Sequence, residues 1–142
     1  MTLKLRRLIS AISLLLINGC SSGEPQGGPR IATFPVHGTV EVDGVPAELV
    51  EVICTPAPDS TGVKYPISSM TDMVGAFTIT TYEASDGLPE GTYTLTFKWL
   101  EPSLVPIDKF DGAFADPSSS QHKITVVKGQ ETDIGVIKLS TK

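Results

Sequence analysis

Charge is scarce in this chain of 142 residues: Asp, Glu, Lys and Arg make up only 19% of it. After residue 20 no segment repeats apolar residues at helical spacing. Helices with salt-bridged outer faces are therefore not expected. No apolar run approaches the roughly 20 residues of a membrane-crossing helix. Histidine is limited to His37 and His122, with no H-x-H or H-E-x-x-H spacing, so neither position reads as part of a zinc motif. A G-x-S-x-G serine elbow is also missing. Gly (13) and Pro (11), by contrast, are plentiful, and with 40% hydrophobic residues they suggest a β-rich domain with many turns and a real core.

The first twenty residues have their own pattern. Lys4, Arg6 and Arg7 give a positive start, and an apolar run of about ten residues follows, from Leu8 to Ile17. A basic start, a short apolar stretch and small residues at its end make a signal peptide. That stretch closes with Ile17-Asn18-Gly19-Cys20, which resembles the lipobox of bacterial lipoproteins, although Asn18 is bulkier and more polar than is usual there. The resemblance implies a signal peptide over 1–19 and a diacylglyceryl group on the Cys20 thiol. Two or three acyl chains anchor stably, at about 0.8 kcal/mol for each buried CH₂. Ser21 rather than Asp follows the cysteine, which in the family does not favour retention at an inner membrane. The expected location is the bacterial cell envelope, at an outer membrane or cell surface. Residues 20–34, rich in Gly, Pro and Ser, predict a flexible tether.

Removal of 1–19 takes Lys4, Arg6 and Arg7 with it. That leaves 8 basic against 16 acidic residues, a balance near −8, and so acidic a surface repels phosphate backbones. Nucleic acid is not an expected partner. With Cys20 lipidated, Cys54 has no partner for an intramolecular disulfide. It lies in the apolar run Val50 to Cys54 and reads as a small buried hydrophobe.

Residues 35–142 show seven strand-like runs: 36–42, 47–55, 63–70, 76–82, 92–99, 122–128 and 133–139. The clearest is Thr92 to Trp99, where Tyr93, Leu95, Phe97 and Trp99 alternate with Thr92, Thr94, Thr96 and Lys98. Strict period two means one buried and one wet face. Asp43-Gly44 marks a tight turn. The expected fold is an all-β, seven-stranded antiparallel sandwich of transthyretin-like or immunoglobulin-like type. Leu100 to Gln121 is expected to be a long irregular loop.

Three motifs carry a second resemblance. Gly38-Thr39-Val40 followed by Asp43-Gly44-Val45-Pro46, then Thr71-Asp72 with Gly75-Ala76-Phe77, then Leu88-Pro89-Glu90-Gly91-Thr92-Tyr93 resemble, in this order, the carboxypeptidase-regulatory-like, transthyretin-like domains. They cover about residues 36–99. The resemblance implies a small accessory sandwich without an activity of its own. The enzymatic branch of the transthyretin-like fold, which hydrolyses hydroxyisourate, would need a closing Y-R-G-S; this chain ends Leu139-Ser140-Thr141-Lys142. Ring-cleaving iron dioxygenases of similar fold use two Tyr and two His. No motif here joins Tyr65, Tyr82 or Tyr93 to His37 and His122.

The remaining candidates lie in or beside the long loop. Asp108, Asp111 and Asp116 are hard oxygen donors near Gly112, a weak calcium candidate without EF-hand spacing. Phe110 and Phe114 mark a contact site if exposed, and otherwise pin the loop to the sandwich. Trp99 would serve sugar stacking if exposed, whereas its phase with Tyr93, Leu95 and Phe97 favours the core. The leading expectation is thus a non-enzymatic envelope lipoprotein without cofactor, held to a membrane through Cys20 and binding an envelope protein or polysaccharide. The alternative is a carbohydrate-binding module of the cell surface.

Overall fold

In the computed structural model, residues 29–60 and 62–142 are described, and among them there is no α-helix. Cys20 and the segment 1–19 lie outside the described residues. In chain order the strands are β1 (Thr33–Phe34), β2 (Val36–Val42), β3 (Val45–Pro46), β4 (Val50–Pro56), β5 (Ile67–Met70) and β6 (Ala76–Thr78). These are followed by β7 (Leu88–Pro89), β8 (Gly91–Glu101), β9 (Ile107–Asp108), β10 (Lys123–Val126) and β11 (Thr132–Leu139). Seven strands of three to eleven residues fall within or close to the seven expected runs, and four two-residue strands are added.

Two sheets face each other. One has the order β10-β8-β4-β5, with β9 on the far end of β8; the other has β11-β2-β3, with β6 sharing the β3 side of β2. Strands β1 and β7 pair separately, below the start of β8. Burial alternates along β2 and β4, because successive side chains on a strand point to opposite faces. Between the sheets lie Val36, Val40, Val50, Val52, Ile79, Leu88, Tyr93, Leu95 and Phe97, all 1% exposed or less. Each large apolar side chain buried in this way contributes roughly 1.5–3 kcal/mol.

Local chemistry explains where the strands stop. Asp43 and Gly44 both have positive φ, the geometry that a two-residue hairpin turn requires, and they lead β2 into β3. The run expected from residue 47 starts only at Val50, because Leu49 has φ 61°. The run from residue 63 is shortened to Ile67–Met70, behind Pro66, which has no N–H to give a ladder. The run to residue 82 ends at Thr78. Beyond it the chain wraps around the Asp86 carboxylate, which accepts the N–H groups of Thr81, Tyr82 and Glu83 at 2.7–3.0 Å. At Gly87 a Cβ would stand 1.7 Å from the Phe34 carbonyl, so only glycine fits this close approach.

One pairing departs from the expected antiparallel pattern. Strand β11 runs parallel to β2, with a register shift between Asp133 and Val136. Strands β2 and β11 need no hairpin between them, since the strands from β3 to β10 form the crossover. The long loop is also less irregular than expected. Leu100 and Glu101 pair with Asp108 and Ile107 in a short hairpin. The chain then returns along β8 through the bonds Phe97 N–H to Phe114 O and Leu95 N–H to His122 O.

Candidate functional site

Three turns meet at one end of the sandwich. Their residues are 43–49, 71–75 and 100–109, at the close of β2, β5 and β8. Hydrogen bonds stitch them together. Thr71 Oγ1 donates to the Ala47 carbonyl (2.6 Å) and accepts from Val50 N–H (2.9 Å). Leu100 N–H donates to Leu49 O at 3.0 Å, and the Trp99 indole N–H to Glu48 O at 3.0 Å. The C-terminus joins them, since Asp43 accepts from Ser140 and Thr141. The Thr141 hydroxyl above all, then its backbone N–H, holds the Asp43 carboxyl below the usual carboxylate range.

The sequence candidates divide at this end. Trp99 is partly buried: Lys109 Nζ lies 4.2 Å from its ring centre, and Phe110 packs against it at 5.7 Å. A sugar stacking on this ring would have to displace Lys109. Phe110 is 5% exposed and belongs to the core, which corrects its reading as a ligand contact. Phe114 is partly buried and packs edge-on against Phe110 at 4.9 Å. Both phenylalanines therefore pin the loop to the sandwich, because β8 presents an apolar flank that the hairpin return covers.

The three aspartates do not come together as a ligand set. Asp108 turns inward and accepts the N–H groups of Trp99, Phe110 and Gly112 at 2.8–3.1 Å. Asp116 is engaged with Ser118, whose hydroxyl first and backbone N–H second lower its pKa. Among the described residues no group of three or more His, Cys, Asp and Glu is placed to hold a metal ion.

The two histidines belong to different sheets. His37 on β2 pairs with Glu131 at 2.8 Å and lies 3.6 Å from Asp133. His122 precedes β10 and packs edge-on against Phe97 at 5.3 Å. It lines a depression of about 320 Å³ with Ala113, Phe114, Asp116, Ser119 and Gln121. The tyrosines are engaged elsewhere or exposed. Tyr93 is buried, with its hydroxyl donating to Pro89 O at 2.8 Å; Tyr82 lies under the Arg30 guanidinium; Tyr65 is exposed. Burial pushes the Tyr93 hydroxyl and the Cys54 thiol each up to about 12. Cys54 is fully buried and free, as its apolar run suggested.

A feature the sequence reading missed is the apolar surface of the turns. Leu104 is fully exposed and Met73 80% exposed, with Val45, Val74, Val105 and Ile107 also facing out. Its trace in the sequence is the pair Leu104-Val105 between Pro102 and Pro106, inside a loop otherwise of turn residues.

No protein-family model and no curated protein matches the chain. Among solved structures it is similar to a 9R-lipoxygenase from Cyanothece PCC8801, at 13% identity and a TM-score of 0.42, over 76% of this chain and 16% of that one. It is also similar to the dioxygenase domain of a dioxygenase carbohydrate-binding protein fusion from the cellulolytic bacterium Streptomyces sp. SirexAA-E, at 18% identity and a TM-score of 0.39, over 80% and 84% of the two chains. Neither likeness is close enough to carry an activity across.

Proposed function

We propose that this protein is a cell-envelope lipoprotein, anchored through Cys20, whose sandwich is a non-enzymatic binding module. The observation that carries the reading is the short apolar run ending in Ile17-Asn18-Gly19-Cys20. The placement of the chain's polar groups supports the non-enzymatic part. His37 and His122 lie apart, the Asp108 carboxylate is occupied by backbone donors, and that of Asp116 by Ser118. The accessory-domain resemblance is supported by where its motifs fall: across the β2–β3 turn, into β6, and from β7 into β8. The test is palmitate labelling and membrane fractionation of the wild type beside Cys20→Ala. Label and membrane association lost together in the variant support the anchor. A soluble, unlabelled wild type, or turnover of a substrate by the purified protein, sinks the reading.

A second reading is favoured by the depression beside His122. Asp116, Ser119 and Gln121 offer hydrogen-bonding groups next to the Phe114 ring, a combination suited to sugar hydroxyls. Calorimetric titration with envelope polysaccharide fragments decides it. Binding that weakens about tenfold in Gln121→Ala supports a sugar site there, and the absence of heat with every fragment removes it.

A further inference from the structure

The strand directions place the two ends of this domain in opposite roles. Arg30, Thr33 and Phe34 lie at the base, where β1 pairs with β7 just before β8 begins. The stitched turns lie where β8 ends. At about 3.3 Å per residue, the eleven residues of β8 (Gly91–Glu101) span roughly 33 Å. Leu104 and Val105 project beyond that, on a tip braced by the Ser103 hydroxyl donating to the Val105 carbonyl. Met73, Val74 and Val45 are exposed on the other two turns at the same end.

We infer that this apolar end is the docking face for a partner protein whose contact surface has an apolar centre and a basic rim. The inference rests on the anchored reading above and names the face and chemistry that reading leaves open. Two observations select the occupant. The first is reach. Nine residues lie between Cys20 and Arg30, and the ten steps from one to the other extend at most about 35 Å. The tips would reach the bilayer that holds Cys20 only with this whole segment stretched along the domain's flank. The second is charge. With Asp108 turned inward, the three turns present Asp43, Glu48, Asp72 and Glu101 against Lys109 alone, and Lys109 is engaged by the Trp99 ring; beyond the turns, Lys142 offsets Asp43. An acidic rim is repelled by anionic headgroups and by a second copy of itself, and attracted to Lys and Arg. Leu104, Val105 and Met73 then supply the apolar centre that a protein interface buries.

The test uses the full-length chain in intact producing cells. A photocrosslinking phenylalanine analogue is placed at position 104, at 73, and at 127 near the base. Palmitate labelling of the same cells reports the anchor separately, so loss of label would sink the anchored reading whatever is crosslinked. The expected result is one heterologous protein joined from 104 and from 73 and not from 127. Once purified, that protein should bind the detergent-solubilised lipoprotein about tenfold more weakly after Leu104→Asp, and again about tenfold more weakly when salt is raised from about 0.05 to about 0.5 M. Leu104 touches nothing in the core, so the variant should keep the wild-type melting temperature. Adducts to phospholipid, to a second copy of this chain, or to the same protein from 127 overturn the proposal. So does the absence of any adduct from 104 and 73, or binding indifferent to Leu104→Asp or to salt.

Discussion

The carboxylate of Asp108 accepts the backbone N–H of Trp99 at 2.8 Å, and the same side chain also accepts from Phe110 and Gly112. An acidic residue in the exposed hairpin is thus a structural pin. It holds the return of the loop against the end of β8, where Trp99 and Phe110 pack together. Asp108→Ala should cost about 1–3 kcal/mol in urea unfolding, because three donors lose a charged acceptor. Calcium should leave the melting temperature of the wild type unchanged; a clear upward shift would restore the aspartates as a metal site.

Tyr93 closes the base of the sandwich as Asp108 closes the top. Its ring is fully buried and its hydroxyl donates to Pro89 O at 2.8 Å. Tyr93→Phe keeps the packing and leaves that carbonyl without its donor. A loss of about 1–2 kcal/mol is expected in chemical denaturation, with no change in the slope of the transition.

Cys54 offers a chemical reading of both fold and anchor. Burial raises its thiol to about 12, so at pH 8 it should be almost entirely protonated and shielded from a thiol reagent. The membrane-extracted protein should show no reactive thiol when native and one after denaturation. Two thiols after denaturation would mean that Cys20 carries no lipid. Cys54→Ser should be destabilising by roughly 1–3 kcal/mol, since a hydroxyl replaces an apolar sulfur in the core.

The loop around Asp86 predicts an acid limit to stability. Partial burial on its own would raise this carboxyl, yet the N–H groups of Thr81, Tyr82 and Glu83 outweigh it and lower the pKa. The folded state therefore favours the ionised form more than the unfolded chain does. The stabilisation is present in full above the unfolded pKa of about 3.9 and is lost as pH falls through the lowered folded value. Unfolding monitored from pH 7 down to pH 2 should show wild type and Asp86→Asn converging at the acid end. A constant difference between them would contradict the assignment.

Much of this architecture is legible along the chain because strand burial is written locally. The alternation from Tyr93 to Trp99 and the Asp43-Gly44 turn needed no tertiary knowledge. The candidate contact residues were harder to read, because an aromatic in a loop has no period to reveal its direction. Phe110 turned into the core, while Leu104 and Met73, unremarkable in the sequence, turned out to be bare.

What the sequence by itself determined is a β sandwich with the strand runs and turns in their order, and a buried Cys54; those follow from side-chain period and turn dihedrals, which act over a few residues. Only the tertiary structure decided that β11 lies parallel to β2, that the Asp108 hairpin folds back along β8, and that three separate turns expose their apolar tips at one end. These depend on contacts between residues from 9 positions apart (Trp99 and Asp108) to 96 apart (Val36 and Thr132), and no local pattern records such a meeting until the chain closes on itself.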